Sequence, residues 1–189
     1  TEIYTPSLHD ALPIWSAPNK LTVARVLAVP VFLILYLKAF YMAAFVVFVL
    51  ASFTDLLDGK IARKYNLITN FGKIMDPLAD KILVYSAFCC MVQINLMPSW
   101  MLAVFLAREF LIAGIRTVAA SQGIVIAAGL TGKIKTVLQM IAVPLLILSS
   151  ALPHHYIILF GRIFLWASLI MTVVSGIDYT YTNRKVFSD

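Results

Sequence analysis

Apolar runs of membrane-spanning length, separated by short polar breaks, occupy almost all of this chain after residue 18 and leave few folds open to it. Six candidate helices lie near 21–40, 41–65, 70–93, 98–121, 131–151 and 157–182, each bounded by Pro, Gly, Asn or charge. A spanning helix needs about 20 predominantly apolar residues. The breaks between the runs are short, which suits an antiparallel helical bundle. Hydrophobic residues make up 61% of the chain and charged ones 13%, with a mean hydropathy of +0.92, far from the balance of a soluble domain. The expected fold is therefore an all-α integral membrane bundle of six transmembrane helices, and 189 residues leave no room for a separate soluble domain.

The net charge of +6 does not point to nucleic acid, because the basic residues border apolar runs and form no solvated or aromatic-interleaved patch. Their distribution reads as topology. Lys20, Arg25, Lys60, Arg63, Lys64, Lys73, Lys81, Arg108, Arg116, Lys133, Lys135, Arg184 and Lys185 fall on one side of the expected bundle, and only Lys38 and Arg162 on the other. Cytoplasmic loops carry such an excess, so both termini and the second and fourth connections are expected in the cytoplasm. Residues 1–17 have neither a basic start nor an apolar signal core and are read as a non-native or disordered leader to a single catalytic domain at 18–189. Cys89 and Cys90 are adjacent inside an apolar run and have the spacing of neither a disulfide nor a metal site. His154 and His155 read as an external turn, Trp100, Trp166, Tyr156 and Tyr181 as an interfacial belt, and Asp178 as a partner for a Lys or Arg of another helix.

Of nine acidic residues, Asp55, Asp58, Asp76 and Asp80 gather in one window across two consecutive apolar runs. An Asp near the centre of a spanning helix costs about 2.5–3.5 kcal/mol, so four without compensation would cost on the order of 10 kcal/mol. At about 100° per residue, Asp55, Asp58, Gly59 and Ala62 share one stripe of the second helix, and Gly72, Asp76 and Asp80 one stripe of the third. Four carboxylates aimed at one point are a donor set for hard divalent cations, Mg²⁺ or Mn²⁺. A pair of such ions about 3.5–4 Å apart clamps the attacking and leaving oxygens of a phosphoryl-type displacement. Gly59, Ala62 and Gly72 leave space for a bulky polar ligand, and Arg63 and Lys64 supply charge for its phosphates.

In order, these residues read D-L-L-D-G-K-I-A-R, eight residues, then G-K-I-M-D-P-L-A-D. The segment resembles the signature of the CDP-alcohol phosphotransferases, D-x2-D-G-x2-A-R-x8-G-x3-D-x3-D, at all eight fixed positions and both spacings. The resemblance implies a six-helix bundle with a cytoplasm-facing polar cavity, a homodimer, and displacement of CMP from a CDP-linked substrate by an alcohol. It puts two metal ions on Asp55, Asp58, Asp76 and Asp80, makes Asp80 the general base for the acceptor hydroxyl, and lines the CDP site with Gly59, Ala62, Arg63 and Gly72.

Three further stretches, P-N-K-L-T-V-A-R at 18–25, A-R-E-F-L-I-A-G-I-R at 107–116 and G-K-I-K-T at 132–136, resemble the branch of that family that joins CDP-diacylglycerol to glycerol 3-phosphate. Arg108, Arg116, Lys133 and Lys135, with Glu109 alone to balance them, are the expected ligands of the acceptor's phosphate; the competing reading is that such residues only snorkel to the interface. Phosphatidylglycerol, serine and inositol phosphate are the alternative acceptors. A cation transporter is the rival from outside the class, but it predicts carboxylates spread through the membrane depth, whereas here they are compressed into two helices.

Overall fold

Among the described residues, three left-handed positions end three of the helices. In this computed structural model the backbone is described for residues 17–65, 70–127 and 129–184, and side chains for 23–54, 78, 79, 81–127 and 129–184. The described residues form six helices and no strand: α1 (Ala17–Leu37), α2 (Tyr41–Tyr65), α3 (Asn70–Gln93), α4 (Ser99–Ser121), α5 (Leu130–Ala151) and α6 (His155–Thr182). Ala39 (φ 61°), Asn95 (φ 58°) and Gly123 (φ 74°) follow α1, α3 and α4. Each is the pivot of a paired cap. After α1, Phe40 N–H donates to Leu35 C=O (2.9 Å) and Ala39 N–H to Tyr36 C=O (3.0 Å); after α3, Leu96 bonds back to Met91 (2.9 Å) and Asn95 to Val92 (3.2 Å). After α4, Ile124 bonds to Ala119 (2.8 Å) and Gly123 to Ala120 (3.1 Å). These 6→1 and 5→2 bonds satisfy carbonyls that the helix end would otherwise orphan.

The six expected runs and the six helices coincide to within a few residues, and the largest departures are at α1. It starts at Ala17 instead of 21, with Pro18 in the first turn, where a missing N–H costs nothing. It stops at Leu37 instead of 40 because Ala39 turns left-handed. Among the described residues, α5 and α6 are long and apolar enough to cross a membrane, while Val23–Leu37, Tyr41–Thr54 and Lys81–Gln93 are shorter apolar segments. α4 has the length, but Arg108, Glu109 and Arg116 interrupt it.

The chain divides into two compact units, one to Ala87 and one from Phe88. In the first, α1 packs against α2 around buried Phe32, Tyr36, Ala44 and Phe48, with the Phe32 ring 5.7 Å from that of Tyr36 and 5.9 Å from that of Phe48. In the second, α6 packs against both α5 and α4, and Phe88 stacks on Phe105 at 5.1 Å. Cys89 is exposed and Cys90 buried, and both are free thiols.

The seam of α6 repeats every three and four residues through Gly161, Leu165, Ser168, Thr172, Ser175 and Tyr179, all buried. Small side chains let helices approach closely. The hydroxyls stay satisfied by bonding to their own helix: Ser168 to Leu165 C=O (2.7 Å), Thr172 to Ser168 C=O (2.6 Å) and Ser175 to Thr172 C=O (3.1 Å). At Gly161 a Cβ would come within 2.9 Å of Leu146 Cδ2 and 3.0 Å of its Cγ, and Leu146 is fully buried. Gly161→Leu is therefore expected to destabilise the α5–α6 pair by about 1–3 kcal/mol, the usual cost of overpacking. The check is a lowered thermal unfolding midpoint in detergent, and an unchanged midpoint would show that the seam can open without cost.

Candidate functional site

Helix bounds give the positions of the four aspartates along α2 and α3. Asp55 lies ten residues before the end of α2 and Asp80 ten after the start of α3, about 15 Å along each axis at 1.5 Å per residue. Asp58 lies seven residues before that end and Asp76 six after that start. The side chains of all four, and those of Gly59, Ala62, Arg63 and Gly72, lie outside the described residues, as does the connection at 66–69. Carboxylate oxygens are the donor type that hard divalent ions take.

In the same unit, Arg25 on α1 is 2% exposed. In the sequence it counted among the topogenic cations and closed the P-N-K-L-T-V-A-R stretch. A buried cation on the helix that packs against α2 is a structural commitment that a positive-inside residue does not make.

The second unit holds a cationic cluster built from three helices. Arg108 is in mid-helix on α4, and its Nε–H donates to Ser175 Oγ of α6 at 3.1 Å. Its Nη1 donates to Glu109 Oε1 at 2.9 Å, and the same oxygen accepts from Lys135 Nζ of α5. Arg108 and Glu109 side chains are 14% and 12% exposed, and that of Lys135 only 4%.

Two glycines make room for this arrangement. A Cβ on Gly132 of α5 would lie 2.9 Å from Arg108 Nη2, and one on Gly176 of α6 would lie 3.4 Å from its Cγ. One turn after Lys135, Gln139 is also buried, and its amide nitrogen has no hydrogen-bond partner among the described residues.

Arg116 lies about two turns further along α4, where its Nε–H donates to the Tyr179 hydroxyl at 3.0 Å and its guanidinium carbon sits 5.6 Å from that ring's centroid. Tyr179, Ile112 and Ile115 form a small buried cluster onto which Ile126 of the α4–α5 connection packs. That connection therefore runs back alongside α4 before α5 begins.

Of the four expected phosphate ligands, the fold joins Arg108 and Lys135 through Glu109 and ties Arg116 to the same helix, α6. Lys133 is exposed and lies about 200° around α5 from Lys135, so it is not part of that cluster. Among the described residues, Asp178 accepts from Thr131 Oγ1 at 3.1 Å and makes no ion pair of the kind expected from the sequence. Ser175, Tyr179 and Gly176 are parts of the cluster that carried no signal in the sequence, whereas Glu109 stood out as a lone acid among four cations and Gly132 opened the G-K-I-K-T stretch.

Residues 15–174 match the family model described as CDP-alcohol phosphatidyltransferase. Over 185 residues the chain is 43% identical to the CDP-diacylglycerol--glycerol-3-phosphate 3-phosphatidyltransferase of Bacillus subtilis, covering 89% of this chain and 95% of that one. It is 39% identical over 178 residues to the protein of the same name from Rickettsia bellii, covering 90% and 96%. A probable phosphatidylglycerophosphate synthase of Mycobacterium tuberculosis is 35% identical over 170 residues, covering 85% of this chain and 78% of its own. With its aspartate signature inside the matched span, the chain belongs to the CDP-alcohol phosphatidyltransferase family, whose members are membrane-associated transferases.

Proposed function

We propose that this enzyme transfers the phosphatidyl group of CDP-diacylglycerol to glycerol 3-phosphate, giving phosphatidylglycerophosphate and CMP. The observation that carries the acceptor assignment is the likeness, along about nine-tenths of the chain, to enzymes named for that reaction. The anchored cations of the second unit support it independently, since a phosphorylated acceptor needs fixed guanidinium and ammonium donors and serine does not.

In this reading the acceptor hydroxyl attacks the phosphorus that bears the diacylglycerol. The new P–O bond forms as the bond to the CMP oxygen breaks, and Asp80 takes the hydroxyl proton. Arg108, Arg116 and Lys135 hold the acceptor's phosphate, with Lys133 nearer solvent. Gly59, Ala62, Arg63 and Gly72 bind CDP. Asp55, Asp58, Asp76 and Asp80 would hold two Mg²⁺ or Mn²⁺ ions, which supply charge neutralisation for the diphosphate and the departing CMP. The wider proposal is a homodimer of six-span protomers in the bacterial inner membrane, with the site open to the cytoplasm.

The test is CMP release by the purified protein from CDP-diacylglycerol with glycerol 3-phosphate, phosphatidylglycerol, serine or inositol phosphate. Glycerol 3-phosphate is expected to support the highest kcat/KM by a wide margin. A preference for any of the other three would overturn the acceptor while leaving the family intact.

A further inference from the structure

We propose that Glu109 is a positioning residue for the acceptor: it holds Arg108 of its own helix and Lys135 of α5 in the one arrangement that receives the acceptor's phosphate. The inference rests on the reading above that those two cations bind that phosphate.

Three observations carry it. A single carboxylate oxygen, Glu109 Oε1, accepts from both cations. It therefore fixes their separation as well as their charge. Arg108 is also held by the bond from its Nε to Ser175 Oγ at 3.1 Å, and its Nη2 occupies the space that a side chain at Gly132 would need. A guanidinium so bonded keeps its planar fork of donors in a fixed orientation. Finally, the Lys135 ammonium is almost wholly buried, and a buried charge needs an opposite charge close by. With Glu109 present the trio carries a net +1. Without it, two like charges on neighbouring helices would repel before any phosphate arrives.

A carboxylate that merely stabilises the fold would affect both substrates alike. A positioning residue separates them. The test uses the full chain purified in detergent, with the KM of each substrate and the competitive inhibition by inorganic phosphate measured in Glu109→Gln and Gly132→Ala. Glu109→Gln keeps the shape and removes the charge, whereas Gly132→Ala keeps every charge and displaces the Arg108 guanidinium.

Both variants are expected to raise the KM for glycerol 3-phosphate about tenfold or more, as loss of a charge-assisted contact does. Inhibition by inorganic phosphate should weaken in parallel, while the KM for CDP-diacylglycerol stays unchanged. A normal or lowered KM for glycerol 3-phosphate in Gly132→Ala overturns the proposal even if Glu109→Gln fails to fold. So does an equal rise for both substrates. Failure of the underlying acceptor reading is seen separately, in the unmodified enzyme, as a preference for an acceptor without this phosphate.

Discussion

Asp55→Asn and Asp76→Asn are each expected to cut CMP release by on the order of a thousandfold while the protein still inserts and purifies normally. Each substitution removes a ligand charge at nearly constant size. A metal's stabilisation of developing charge contributes several kcal/mol, and every ~1.4 kcal/mol is a factor of ten in rate. Chelation should reproduce the loss in the unmodified enzyme: EDTA abolishes CMP release, and added Mg²⁺ or Mn²⁺ restores it. The measurement is CMP formed per unit time from CDP-diacylglycerol and glycerol 3-phosphate. Full activity in excess chelator would remove the metals from the proposal. A normal rate in either Asn variant would remove that residue from the metal set.

The next largest effect is expected at Lys135. Lys135→Ala should raise the KM for glycerol 3-phosphate by about tenfold to a hundredfold, the equivalent of losing a charge-assisted hydrogen bond of about 1.5–3 kcal/mol. The KM for CDP-diacylglycerol should hardly move. Stability should fall as well, because the variant leaves the 12% exposed Glu109 with Arg108 as its remaining cation in that trio, and breaking a buried pair is costly. Lys133→Ala, by contrast, should change neither KM by as much, since that side chain is exposed and on another face of α5. Equal effects from the two lysines would mean that long-range charge, and not the buried contact, governs acceptor binding.

Much of this could be read from the residues, for identifiable reasons. Helix positions follow from hydropathy, and Gly123 announces the end of α4 because glycine adopts positive φ readily. Ala39 and Asn95 make the same kind of turn with a Cβ present, so the α1 boundary shifted by three residues. The aspartate signature is local, with all eight fixed positions on two helices joined by a short connection, and helical periodicity alone places its carboxylates on stripes. The second unit is different. Glu109 and Lys135 are 26 residues apart and Arg108 and Ser175 are 67 apart, distances over which no periodicity speaks. Ser168, Thr172 and Ser175 are isolated polar residues in an apolar run, and only packing reveals that they make one seam.

The rungs between α4 and α6 also bear on how the protein enters its membrane. Trp100 with Trp166, Arg108 with Ser175 and Arg116 with Tyr179 follow one another in the same order on both helices, so the two helices run parallel although α5 separates them in the chain. On the six-span reading, α4 is synthesised carrying Arg108, Glu109 and Arg116 into a setting where a central charge costs about 2.5–3.5 kcal/mol. Glu109 can neutralise Arg108 at once, being its neighbour. Lys135, Ser175 and Tyr179 do not yet exist. Full compensation of the fourth helix is therefore possible only once the last one has been made. A chain truncated before residue 175 would lack the two hydroxyls that hold α4 in register.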